Sequence, residues 1–173
     1  MEISEIESFI NKIPDHPKPG ILFYDVSSLI SHKDAFKASI DLLTELTKNY
    51  AFELIAAIDA RGFIFASAIA YKLEKGIVMV RKEGKLPGKK ISYEYKLEYG
   101  NDTLEVNIDL RSKKILLVDD LLATGGTANA AVRLIEKSGG LVTCFLSLIE
   151  LDFLNGRKKL GVPIETLINY YND

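Results

Sequence analysis

Apolar residues along this chain fall into two alternating rhythms. Ile3, Ile6, Phe9, Ile10 and Ile13 recur at helical spacing, and Pro14 sets the predicted end of a first helix. The segment Pro17-Lys18-Pro19-Gly20 is a turn leading into the apolar Ile21-Leu22-Phe23-Tyr24. Phe36, Ile40, Leu43 and Leu46 define a second amphipathic helix, and Leu54–Ile58 is a short, wholly apolar run that predicts a buried strand. A helix over about 62–73, a strand at Ile77–Val80, a helix ending near Gly139-Gly140 and a strand from Leu141 to Ile149 continue the alternation. Apolar strands interleaved with helices predict an α/β single domain whose central, mostly parallel sheet is flanked by helices on both faces. We take residues 1–173 as that one domain.

Residues 82–112 break the rhythm. They carry no helical period, and Thr103–Ile108 alternates as a half-exposed strand, so a β-hairpin-like insertion is expected. Polar insertions of this length in compact domains commonly act as lids, although a plain solvated loop is the other reading.

Composition narrows the function classes. The chain has 173 residues, 47% hydrophobic and 27% charged, with a net charge of −2, which speaks against wholesale nucleic-acid or membrane binding. The acidic N-terminus has no signal-peptide pattern, and no apolar run approaches the ~20 residues that cross a bilayer. One cysteine, Cys144, sits in an apolar run and is expected to be a buried hydrophobe in a reducing, cytoplasmic setting.

The most informative stretch is Ile115–Thr127. A buried strand ends in Asp119-Asp120, and a small-residue turn, Ala123-Thr124-Gly125-Gly126-Thr127, opens the next helix. Helix N-termini present unpaired N–H groups and positive dipole to an anion, and small residues let a phosphate approach. Two carboxylates beside that turn would repel a polyphosphate, but they suit the hydroxyls of a ribose or a metal-bound water. A sugar 5-phosphate satisfies both halves. A tight βα connection with no ligand is the alternative. Dinucleotide and Walker A patterns fit poorly: no G-x-G-x-x-G follows a strand, and Gly84–Lys90 has too few residues between its glycines.

Ile58-Asp59-Ala60-Arg61-Gly62 repeats this logic. A strand ends, Arg61 stands in the turn, and Gly62 opens a helix. Arginine's planar fork matches a diphosphate, but read alone the motif is equally a structural Asp59–Arg61 ion pair. In open parallel sheets ligands sit beyond the strands' carboxyl ends, so Arg61, Arg81 and Lys82 are expected on the same rim as Asp119 and Asp120.

The stretch Val118–Thr127 resembles the phosphoribosyl diphosphate (PRPP) binding motif of type I phosphoribosyltransferases. With Phe23-Tyr24-Asp25, Ala60–Phe63, Arg81–Gly88, Leu97–Gly100 and Glu150-Leu151 in the same order, the chain is similar to the adenine phosphoribosyltransferase family from about Ile13 to Leu167. That resemblance implies transfer of the phosphoribosyl group from PRPP to adenine, giving AMP and pyrophosphate, with Mg²⁺ as cofactor and a homodimer as assembly. Asp119 and Asp120 would hold the ribose, and Ala123, Thr124, Gly125, Gly126 and Thr127 the 5-phosphate. Ala60, Arg61, Arg81, Lys82 and Lys85 would engage pyrophosphate; Leu22, Phe23, Tyr24 and Leu151 would form the adenine slot. Glu98, Tyr99 and Arg61 are the implied catalytic residues, with Glu98 on the lid as the proton-transfer group. No direct protein ligand for the metal is implied: Mg²⁺ would arrive on PRPP, with at most a water bridge to Asp119 or Asp120.

Tyr24 departs from the pattern, since arginine is expected there in many relatives; the change is mild if the position works through its backbone. Two rival functions remain at this stage. A 6-oxopurine phosphoribosyltransferase would need a donor to O6, typically lysine, and none stands directly after Asp119-Asp120 or beside Leu151. A non-catalytic PRPP-binding regulator would lack the lid acid and usually carry a DNA-binding module.

Overall fold

The structure is a computed structural model that describes residues 1–97 and 100–172. In chain order the elements are α1 (Ile3–Glu7), β1 (Asn11–Ile13), β2 (Phe23–Asp25), α2 (Ser27–Ser31), α3 (Lys33–Leu46), β3 (Leu54–Ile58), α4 (Gly62–Leu73) and β4 (Gly76–Lys82). There follow β5 (Ile91–Leu97), β6 (Gly100–Val106), β7 (Lys114–Leu122), α5 (Gly126–Lys137), β8 (Leu141–Leu151), two 3₁₀ turns (Asp152–Leu154 and Gly156–Lys159) and β9 (Ile164–Tyr170).

Among the described residues, seven strands form one sheet in the order β5-β6-β4-β3-β7-β8-β9. The five from β4 to β9 run parallel, while β6 joins β4 antiparallel at Arg81–Glu105 and Lys82–Leu104, and β5 closes the hairpin. The insertion is therefore the sheet's edge rather than a separate excursion. Thr103 to Val106 pair as expected, and the hairpin begins earlier, at Ile91.

Strand alternation sorts the core onto two faces. Leu116 and Val118 of β7 pack with α3, α4 and Phe65, whereas Ile115 and Leu117 pack with α5 and Phe145. Side chains on a strand point alternately to either face, so β7, covered on both, must be apolar throughout. Phe65 and Phe145 are completely buried, each contributing on the order of 1.5–3 kcal/mol from removal of apolar surface from water.

The first helix is shorter than its periodicity predicts. It ends at Glu7, and Asn11–Ile13 instead forms β1, pairing antiparallel with β2. Ile6 and Ile10 are buried while Ile3 and Ile13 are exposed. Cross-strand bonding to β2 outcompetes a further helical turn, because it satisfies the backbone of both segments at once. The short pair brings Phe23 and Tyr24 to the carboxyl end of the sheet.

Candidate active site

Three parallel strands deliver their last residues to one rim. Ile58 to Arg61 leave β3, Lys82 ends β4, and Asp119 to Ala128 run from the end of β7 into the first turn of α5; together they enclose a cavity of ≈ 460 Å³. Gly125 caps α5 with φ of 77°, a left-handed conformation natural to glycine, so the turn folds under and the helix N-terminus opens into the cavity.

Gly62 explains how β3 and β7 come so close. A Cβ there would lie 2.9 Å from the Val118 carbonyl oxygen and 3.0 Å from Asp119 Oδ1, so only glycine lets α4 start against the acidic doublet. The Asp59–Ala60 peptide in the same turn is cis.

The charges are arranged in pairs. Arg61 Nε lies 2.8 Å from Asp120 Oδ2, a contact of charge whose N–H is not aimed along it, since that oxygen has no hydrogen-bond partner. Asp59 pairs instead with Arg81 Nε at 3.0 Å. The structural Asp59–Arg61 pair considered from sequence is thus replaced by two pairs with other partners. Burial raises the Asp119 carboxyl well above the ordinary carboxylate range, and the neighbouring Asp120 charge adds to the rise. Burial raises Asp120 as well, opposed by the Arg61 charge. Hydroxyl donors brought to these acids would restore to their charged form what desolvation has removed.

A second cavity of ≈ 400 Å³ adjoins the first and shares Arg61, Leu121, Ala123 and Thr124 with it. Its other walls are Gly20 to Tyr24, Leu151, Phe153 and Leu154, mostly apolar and of a size for a flat ring. The Arg61 guanidinium sits 5.1 Å above the Phe23 ring. Its Nη1 also donates to the Tyr24 carbonyl oxygen at 3.4 Å. The Tyr24 side chain turns into the core, its ring 4.6 Å from that of Tyr170. At this position the backbone carbonyl faces Arg61 while the ring packs on Tyr170.

Every described sequence candidate can now be placed. Ala60, Arg61, Lys82, Asp119, Asp120 and residues 123–127 line the first cavity, and Leu22, Phe23, Tyr24 and Leu151 the second. Arg81 is drawn to Asp59, and its Nη1 reaches the Lys85 carbonyl oxygen at 3.5 Å. Neither Arg81 nor Lys85 is among the residues lining either cavity. Glu98 and Tyr99 lie outside the described residues. Sequence reasoning missed Phe153 and Leu154 in the second cavity. It also missed Gly156, whose backbone supports the small-residue turn; the Asn155-Gly156 pair was the available turn signal.

The hairpin reaches this rim too. Tyr95 Oη lies 3.4 Å from Thr127 Oγ1 and 3.3 Å from Asp102 Oδ2, and Asp102 holds Lys82 Nζ at 3.2 Å.

A helix N-terminus thus stands beside an acidic doublet, at the carboxyl ends of a parallel sheet and next to a flat apolar slot, the arrangement expected of a phosphoribosyltransferase. A model of the phosphoribosyl transferase domain family matches residues 25–150. An adenine phosphoribosyltransferase of Kosmotoga olearia is 51% identical over 168 residues, covering 95% of this chain and 99% of that one. The crystal structure of adenine phosphoribosyltransferase from Thermoanaerobacter pseudethanolicus superposes with a TM-score of 0.95 at 48% identity, covering 98% and 100% of the two chains. The Giardia lamblia enzyme complexed with 9-deazaadenine has a TM-score of 0.92 at 33% identity, covering 99% of each chain. The chain belongs to the adenine phosphoribosyltransferase family.

Proposed function

We propose that this chain is a purine-salvage enzyme that transfers the 5-phosphoribosyl group of PRPP to adenine, releasing pyrophosphate and forming AMP. One observation carries the reading: a phosphate-and-diol cavity and a flat apolar cavity adjoin, with Arg61 in both walls. Bound there, a sugar phosphate and a purine would meet at C1 of the ribose.

In this reading the backbone N–H groups at the start of α5 and the Thr124 and Thr127 hydroxyls hold the 5-phosphate. Asp119 and Asp120 accept from the ribose hydroxyls. As the C1–O bond breaks, positive charge grows on the ribose and negative charge on the leaving diphosphate. Arg61 and Lys82, with the Ala60 backbone, stabilise the latter. Arg81 would join them only by leaving its pair with Asp59, and exposed Lys85 is the other proposed contact. Adenine N9 then forms the new bond to C1, and the ring N–H proton that adenine gives up passes to the proposed proton-transfer residue. Glu98 is the proposed proton-transfer residue, with Tyr99 beside it in sequence, and residues 82–112 are the proposed lid that keeps water from PRPP.

The donor set fits Mg²⁺ carried by the substrate. At most a water would bridge the ion to Asp119 or Asp120, and the ion would neutralise diphosphate charge.

We also propose a homodimer. Ile77 and Met79 on β4 stand 41% and 45% exposed. They point away from buried Val78 and Val80, towards the face that also carries exposed Ile64 and Tyr71 on α4. Exposed apolar side chains on one face fit a self-association surface. Cys144 is buried with no second thiol to pair with, in keeping with a cytoplasmic setting.

The base cavity speaks for adenine over a 6-oxopurine, since no lysine is among its lining residues. A base-panel assay of pyrophosphate release with PRPP and Mg²⁺ tests the reading. Adenine should be turned over, with hypoxanthine and guanine nearly inert. PRPP binding without any product would favour the regulator instead.

A further inference from the structure

The chain leaves the sheet after β8 and returns as β9, and between them it does two things. Leu151, Phe153 and Leu154 form a wall of the base cavity. A few residues later Gly156 is pressed against the phosphate turn. A Cβ on Gly125 would lie 2.5 Å from the Gly156 carbonyl oxygen, and one on Gly156 would lie 2.9 Å from the Gly125 nitrogen and overlap the Ala123 carbonyl. Two backbones thus touch with no side chain between them, so a displacement of Gly156 must move the turn.

One ion pair governs where Gly156 sits. Glu150, the penultimate residue of β8, is 1% exposed and receives a two-pronged contact from Arg157: Nε to Oε1 at 3.0 Å and Nη2 to Oε2 at 2.5 Å. Thr166 Oγ1, on β9, donates to the same carboxylate at 3.1 Å. The remaining arm of Arg157, Nη1, donates to the Ile164 carbonyl oxygen at 3.1 Å. Arg157 therefore ties the residue where the chain departs to the residue where it returns, and its own neighbour is Gly156. A buried carboxylate is costly to desolvate, so this pair adds little to net stability, but its forked geometry admits one arrangement.

We infer that Glu150 and Arg157 are positioning residues of the phosphate site, acting through Gly156 to hold the Ala123–Thr127 turn in its anion-binding shape. The inference rests on the proposed PRPP reading of that turn. Leu151, by contrast, is anchored independently by pairing with Tyr170, so the base wall depends less on the pair.

Titration of wild type, Arg157→Leu, Arg157→Lys and Glu150→Gln separates this role from plain stabilisation. Ribose 5-phosphate and pyrophosphate are the probes, because the first would occupy the turn and the second the Arg61 side. Arg157→Leu should weaken ribose 5-phosphate about tenfold, the scale expected for a small misplacement of a binding group, and leave pyrophosphate unchanged. Arg157→Lys should recover part of that loss. A merely structural role would lower the melting temperature and leave both dissociation constants at wild-type values, which overturns the inference; equal weakening of both probes overturns it too. Should Arg157→Leu fail to fold, Glu150→Gln, which preserves volume and one acceptor, decides by the same two constants. Wild-type AMP formation is measured separately, so failure of the proposed reaction would be told apart from failure of this inference.

Discussion

Arg61 at the end of β3 and Asp120 at the end of β7 meet at 2.8 Å, so a single guanidinium links the acidic doublet to the Phe23 ring, 5.1 Å from the same group. The cation that would face the leaving diphosphate is therefore also the counter-ion of a buried acid, and its removal should be felt in two ways.

Arg61→Met should weaken PRPP and change the pH dependence of binding. Burial raises Asp120 and Arg61 opposes that rise, so without the guanidinium the carboxyl titrates higher still. A protonated acid accepts ribose hydroxyls less well, so the acid limb of PRPP binding should move upward in pH. Stability follows the same sign: a raised carboxyl favours the folded state below its unfolded value near 3.8, and that contribution is lost as pH rises through the folded value. The variant's deficit in melting temperature should accordingly narrow as pH is lowered. Calorimetric titration and melting curves at several pH values check both; an unmoved acid limb contradicts the coupling.

Asp119→Asn should trade affinity for stability. The Asp119 carboxyl is disfavoured in its charged form by burial and by Asp120, and asparagine removes that charge while keeping an oxygen for the Asp120 N–H, now 2.9 Å away. The melting temperature at neutral pH should rise. PRPP binding should weaken by roughly 1.5–3 kcal/mol, the scale of a hydrogen bond to a charged acceptor. Scanning calorimetry and PRPP titration on one preparation give both signs; unchanged PRPP affinity would contradict the ribose assignment.

Gly62→Ala is a one-methyl test of the junction between β3 and β7. The new Cβ would press within 3.0 Å of both Val118 and Asp119 atoms, and the nearer of these is backbone. Overpacking of this kind costs about 1–3 kcal/mol. The start of α4 must move away from the doublet, so pyrophosphate affinity should fall together with the melting temperature. A fully stable, fully active variant would show that the close approach is dispensable.

Met79→Lys tests the proposed assembly. Met79 is 45% exposed on β4 and contributes to the apolar patch with Ile77. A lysine there should shift the protein from dimer to monomer in sedimentation equilibrium while leaving its far-UV spectrum unchanged. A wild-type protein that sediments as a monomer would refute the dimer outright.

The sequence alone determined the parallel sheet and the turns that line the first cavity. Leu54–Ile58 and Ile115–Val118 are apolar runs that only strands covered on both faces require, and β3 has the predicted limits. The acid pair and glycine turn followed by a helical period marked the end of β7 and the start of α5. These are local signals, written in consecutive residues, so they can be read without knowing what lies across the sheet. Glu98 and Tyr99 were chosen on the same kind of local motif.

Partnership was decided by tertiary structure. Nothing near Asp59 in sequence says that it pairs with Arg81 rather than Arg61, because that choice depends on the register of β3 against β4. The helical spacing from Ile3 to Ile13 could not reveal that Asn11 to Ile13 would pair with Phe23 to Asp25. Gly156 carried a turn signal but no hint that its backbone would meet Gly125, some thirty residues earlier. Side-chain periodicity reports which face of an element is covered; which neighbour covers it is settled only when non-local contacts repay the entropy of closing the chain.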